Sequence, residues 1–167
     1  MDIMAFCRTL NTVQPGVLDL VTYQEALLSM FYRLLRLRSL SESRKFFDDC
    51  SAMHLGLIMF LMTIFLHHGD HKILDFELAG CCLKTVIEHA SILQHDQSFL
   101  WLLVIGGIWT APGTQASWLE NLVTAVAVEQ NIKTWRDLRG ALQNLPWINV
   151  IHDRPGKLLW ERMHSIP

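Results

Sequence analysis

Charge is scarce in this chain: of 167 residues, 18% are Asp, Glu, Lys or Arg, while 51% are hydrophobic. Disorder needs the opposite balance, so a natively unfolded chain is excluded. No sign dominates, because 14 basic and 16 acidic residues leave a net charge of −2. There is no global field to steer nucleic acid or an anionic membrane. Proline and glycine together hold 14 positions, 5 and 9 respectively, which rules out collagen-like and low-complexity readings. Cysteine occurs only at 7, 50, 81 and 82, without a CxxC pair. Adjacent Cys81 and Cys82 do not suit an ordinary disulfide framework, and the expectation is four reduced thiols in an intracellular protein. The opening Met1-Asp2-Ile3-Met4 lacks a basic segment followed by a long apolar one, so no signal peptide is expected. His164-Ser165-Ile166-Pro167 matches no address or lipidation tag.

Long hydrophobic runs are missing too. Residues 50–69 and 97–119 carry no formal charge, but their apolar hearts, Leu55–Leu66 and Phe99–Trp109, are twelve and eleven residues long. A bilayer needs about 18–20. Both stretches read as helices buried on most sides of a globular domain, and no membrane association is expected.

What is present is helical periodicity. Between Val17 and Leu40, Leu20, Tyr23, Leu27, Met30, Leu34 and Leu37 recur at 3-4-3-4-3. Leu28, Phe31 and Leu35 widen that stripe, which favours a packed core helix over a coiled-coil seam. Arg33, Arg36 and Arg38 read as a solvated end suited to the helix dipole rather than a nucleic-acid patch. A second helix is expected over Ser51–His67. A third is expected over Asp75–Gln94, with Asp75 as cap and Ala79, Leu83, Val86, Ala90 and Leu93 on one face. A fourth covers Ser98–Trp109. A fifth opens at Ser117-Trp118-Leu119-Glu120, a capping-box pattern, and buries Leu119, Leu122, Val123 and Val126. A sixth opens at Thr134-Trp135-Arg136-Asp137, buries Leu138, Leu142 and Leu145, and stops at Pro146. Lys157–Met163 reads as a last helical turn or two. No run alternates at period two long enough for a strand. The fold class is therefore all-α, one domain over 1–167 with about six helices. Its core residues are expected to be Leu27, Met30, Leu34, Leu57, Phe60, Leu61, Leu83, Val86, Leu103, Leu122, Leu138 and Leu142.

Candidate chemistry is thin. His67-His68-Gly69-Asp70-His71 is the densest cluster of metal-ligand types, but its spacing matches no zinc pattern, and His89 and His95 lie a helix away. A solvated polar loop is the preferred reading. Cys50, Cys81 or Cys82 would need a base to act as nucleophile, and reduced cysteine on a helix usually packs. Neither a G-x-S-x-G elbow nor a phosphate-binding glycine motif occurs. Gly106-Gly107 points to close helix packing or a break. Asp48-Asp49, near Arg44 and Lys45, read as a solvated loop. No catalytic, cofactor-binding or metal residue is assigned, no cofactor is expected, and the chain is not expected to be an enzyme. Six tryptophans, at 101, 109, 118, 135, 147 and 160, fill the last 67 residues. They read as large core residues, with a tryptophan-lined ligand pocket as the alternative.

The order of these pieces resembles the C-terminal part of the fungal-specific transcription factor domain, the regulatory middle homology region downstream of zinc binuclear clusters. The resemblance rests on His54-Leu55-Gly56-Leu57-Ile58-Met59-Phe60-Leu61, Leu100-Trp101-Leu102-Leu103-Val104-Ile105-Gly106-Gly107 and Trp118-Leu119. It continues through Trp135-Arg136-Asp137-Leu138 with Leu142, Pro146-Trp147, Asp153 and Leu159-Trp160. It spans residues 50–163 well and 1–49 weakly. It implies an all-α regulatory domain, a nuclear location (otherwise cytoplasmic) and control of transcription through a protein partner or a hydrophobic small-molecule effector. It brings no DNA-binding module, since the family's zinc cluster needs six cysteines and this chain has four. The family's regulatory domain is usually longer, so an exposed helical face and homodimerisation are expected. The alternative is a small helical enzyme or carrier for a hydrophobic metabolite, its pocket lined by His67, His68, His71, His89 or His95.

Overall fold

The structure is a computed structural model describing residues 2–12, 19–37, 49–68, 71–72, 77–89, 97–110 and 117–164. Eight helices occur among the described residues: α1 (Ile3–Thr12), α2 (Leu20–Leu37), α3 (Asp49–Leu66), α4 (Glu77–His89), α5 (Gln97–Thr110), α6 (Ser117–Glu129), α7 (Trp135–Ala141) and α8 (Asn149–His164). The class is all-α. A two-residue antiparallel pair, β1 (His67–His68) with β2 (His71–Lys72), pairs His67 with Lys72 and His68 with His71. It is too short to change the class.

The two uncharged helices form the centre. All residues from Phe99 to Trp109 on α5 are buried, and α5 packs on α3, α4, α6 and α8. Glycine sets how close these helices come. A Cβ on Gly56 of α3 would lie 2.5 Å from the Trp101 ring, and Cβ atoms on Gly106 and Gly107 would lie 2.6 Å from Leu83 and Leu159. Close approach is thus the role of the glycine pair, and α5 runs through it unbroken.

Ten of the twelve expected core residues are buried, while Leu57 and Leu122 are partly buried. On α2 the expected stripe is too wide. Only Leu27, Met30 and Leu34 are buried, whereas Leu20, Leu28, Leu35 and Leu37 stand in solvent at 68%, 57%, 38% and 78% exposure. The helix rests on α3 by one narrow face.

Several boundaries depart from expectation. α1 is an addition. Asp2 Oδ1 accepts from the Ala5 N–H at 2.7 Å as its cap, and Phe6 and Cys7 are buried. Asn11 fixes its far end, donating to the Trp147 carbonyl and accepting from the Asn149 N–H, both at 2.8 Å. α6 includes Ser117, so that serine sits inside the first turn rather than capping it. α6 ends with Asn131 at φ 56°. The Ile132 N–H returns to the Ala127 carbonyl at 2.8 Å and the Asn131 N–H to Val128 at 3.0 Å, the paired closure of a helix on a left-handed residue. The expected Asp75 cap lies outside the described residues.

α7 ends at Ala141 rather than running to Pro146. The turn after it is held from elsewhere, because the Pro146 carbonyl accepts from Trp101 Nε1 at 2.8 Å. α8 begins eight residues before the expected Lys157 and carries Pro155 inside. Proline removes one helical hydrogen bond there, yet buried residues on both sides, His152 before and Gly156, Leu159 and Trp160 after, hold the helix together.

At the start of α7 the expected capping box forms: Thr134 Oγ1 accepts from the Asp137 N–H at 3.1 Å, and Asp137 Oδ2 accepts from the Thr134 N–H at 2.9 Å. The Thr134 hydroxyl, followed by the Lys133 and Thr134 backbone, holds the Asp137 carboxyl below its usual range. A depressed carboxyl stabilises the fold above its unfolded value near ~4 and loses that contribution as pH falls. Thr134→Ala is expected to lower the melting temperature by about 3 °C. A thermal scan at neutral pH checks this, and no shift would mean that the box does not hold α7.

Among the described residues, two polar side chains are fully inside, Thr63 and His152. His152 Nδ1 lies 3.0 Å from the Ile148 nitrogen and 3.1 Å from the Ile148 carbonyl, and its Nε2 faces Thr63 Oγ1 at 2.8 Å. Thr63 passes its own proton to the Phe60 carbonyl at 2.6 Å. This hydrogen-bonded chain ties α8 to α3.

Candidate functional site

An open groove of about 530 Å³ lies where α1, α2 and α3 meet the turn after α7. Helical spacing builds its walls. On α2, Met30, Leu34 and Leu37 line it and Arg33 stands among them; on α3, Met53 and Leu57 face it one turn apart. α1 contributes Ile3 and Met4, and the turn closes the end with Leu145 and Pro146. Three of these residues are methionines, whose unbranched side chains adapt to different apolar shapes.

The polar rim is sparse and basic. Arg8, Arg33, Asp2 and Asn144 border the groove. Asp2 already spends one oxygen on the α1 cap. Among the described residues, two guanidinium groups against one carboxylate leave the mouth net positive, which suits an apolar occupant carrying an acid.

Among the described residues, the groove's lining offers no nucleophile paired with a base and includes no histidine, no cysteine and no tryptophan. Trp101, Trp109, Trp147 and Trp160 are buried, and Trp118 and Trp135 pack against that core. The histidines of the sequence cluster lie elsewhere. His67, His68 and His71 have their backbone in the β1–β2 pair, His89 closes α4, and the side chains of all four, with the whole of His95, lie outside the described residues. Among the described residues, no three His, Cys, Asp or Glu side chains come together to hold a metal ion. Asp48 and the Asp49 side chain also lie outside the described residues, as does the Cys50 side chain.

The described cysteines, Cys7, Cys81 and Cys82, form no disulfide. Cys82 is buried and Cys81 exposed on α4. Burial pushes the Cys7 thiol up to about 11, so it stays protonated and unreactive at neutral pH. No helix among the described residues is long and apolar enough to cross a membrane.

A second constellation sits at the α7–α8 corner. Asp153 Oδ1 accepts from Trp147 Nε1 at 2.7 Å and from Arg139 Nε at 2.9 Å. Arg139 also reaches Asn149 Oδ1 at 2.7 Å and lies 4.9 Å over the Trp147 ring. These bonds run between α7 and α8 and the turn that joins them, and the arrangement locks the two helices together rather than opening a site. The late motifs quoted above, Trp135, Pro146-Trp147, Asp153 and Leu159, thus act here as packing and locking residues.

Sequence reasoning missed the groove because one of its walls comes from α1, which it did not place. The signal was there: Asp2 followed by Ile3, Phe6, Cys7 and Leu10 at helical spacing. Arg33, read as a solvated dipole partner, is exposed and also stands on the rim of the groove. No family model matches the chain, and no curated protein or solved structure shows significant similarity to it.

Proposed function

We propose that the chain is a non-enzymatic, nuclear transcription-regulatory domain that docks a protein partner and does not itself contact DNA. The groove carries this reading: it is open, apolar, methionine-lined and rimmed by Arg8 and Arg33. The occupant is an amphipathic helix whose apolar face lies in the groove and whose acidic residues meet the two arginines. Acidic-hydrophobic segments are a common form of activation domain, which joins the groove to the regulatory role that the sequence resemblance implies. The balanced net charge of −2 supports the absence of DNA contact.

Two synthetic helices test the reading. One carries leucines at i, i+3, i+4 and i+7 with flanking glutamates, and its twin carries lysines instead. Fluorescence anisotropy is expected to show binding of the acidic peptide alone, weakened at least ~10-fold by Arg33→Glu. Equal affinity for both peptides, or no effect of Arg33→Glu, would overturn it.

A further inference from the structure

The outer face of α2 offers a second surface, turned away from both the core and the groove. Val21, Leu28 and Leu35 are 62%, 57% and 38% exposed, and they recur every seven residues. That spacing draws a single straight stripe along the helix. Tyr32, 64% exposed, widens it on one side. The buried residues Leu27, Met30 and Leu34 point the other way. An 18-residue helix thus has two apolar faces and only one of them is covered.

We infer that α2 pairs through this stripe with α2 of a second copy of the chain, antiparallel about a two-fold axis at Leu28. The register follows from the spacing. With Leu28 opposite Leu28, Val21 of each copy faces Leu35 of the other, and each residue of the seven-residue row has an apolar counterpart. The direction follows from charge. Glu25 and Arg36 are exposed on the Tyr32 side of the stripe, one toward each end of the helix. A parallel pair would carry the two Glu25 side chains, and the two Arg36 side chains, to opposite sides of the seam, so none of them would meet an opposite charge. The antiparallel pair offsets Glu25 from the other copy's Arg36 by five residues, about 7.5 Å of rise. Helical side chains lean toward their own N-terminus, so these two lean toward each other across the seam. The helix dipoles also run in opposition, which favours this direction.

Four stripe residues per copy make a small interface, at or below the ~1,200 Å² that marks weak and transient contacts. The pairing is therefore concentration-dependent, with a dissociation constant on the order of micromolar. It uses none of the groove's apolar lining, so partner docking and self-pairing occur on the same molecule.

Sedimentation velocity from about 1 to about 200 μM, a range that brackets a micromolar constant, tests this. A monomer–dimer equilibrium is expected. Leu28→Glu, an exposed position that leaves helix content unchanged by circular dichroism, places two carboxylates at the axis and is expected to weaken pairing at least ~10-fold. Glu25→Arg is expected to weaken it and Glu25→Arg with Arg36→Glu to restore it. Mixed Val21→Cys and Leu35→Cys chains are expected to cross-link to each other under mild oxidation. A monomer throughout, a dimer indifferent to Leu28→Glu, or cross-linking of Val21→Cys with itself in preference to Leu35→Cys would overturn the inference. The acidic-peptide titration reads the groove separately, so the failure of one surface is distinguishable from failure of the other.

Discussion

Trp101→Ala is expected to lower the unfolding free energy by about 4 kcal/mol. The ring is 0% exposed and sits between α3 and α5, where Gly56 leaves room for it and Phe60 lies 6.3 Å from its centroid. Truncation empties a space that the surrounding helices cannot close, because α5 is also held against Leu83 and Leu159 at its glycine pair. It further strands the buried Pro146 carbonyl, which accepts from Trp101 Nε1, and an unmet buried acceptor adds to the cavity cost. Pro146 also ends the groove, so the variant should bind the acidic peptide less well besides being less stable. Denaturant titration reads the first effect and anisotropy the second. A loss under about 1 kcal/mol would mean that the α3–α5 contact is not the centre of the fold.

Leu138→Asp is expected to be as damaging, costing several kcal/mol or abolishing soluble expression. Leu138 is 0% exposed and is the one buried residue of α7. A carboxylate there has no partner and lies in a helix of seven residues, too short to stand without its packed face. A purified variant with unchanged melting temperature would show that α7 does not dock as described. The milder Leu138→Ala, expected to lose about 3 kcal/mol, keeps the test readable where the aspartate variant does not fold.

The class and most helix positions were legible because the chain repeats apolar residues at helical spacing and interrupts them with few Pro or Gly residues. The centre was legible in particular: α3 and α5 are apolar on all sides, and such helices have nowhere to go but inside. Boundaries were less legible where tertiary contacts override local rules. Pro155 marks a helix start by propensity, yet α8 runs through it because His152 and Trp160 are anchored on either side. Leu142 and Leu145 continue the α7 period, yet the chain turns there because Trp101 holds Pro146 from another helix. On α2 the period gave the buried face but not its width. Leu28 and Leu35 fit a core helix by composition, and they stand in water because α3 and α1 meet only the other faces of α2. The candidate groove was not legible as a site, since its walls come from segments far apart in sequence; of its two rim arginines, Arg33 reads as an ordinary solvated charge and Arg8 sits on the unplaced α1. The histidine cluster drew attention by density, which is a weak signal without ligand spacing.

Hydrogen–deuterium exchange of the chain with and without the acidic amphipathic peptide tests partner docking in the groove most directly. The account predicts added protection confined to α1, the second half of α2, the first half of α3 and the turn at 144–146, lost in Arg33→Glu. Protection centred instead on α6 and α8, or no change in exchange at saturating peptide, would contradict it.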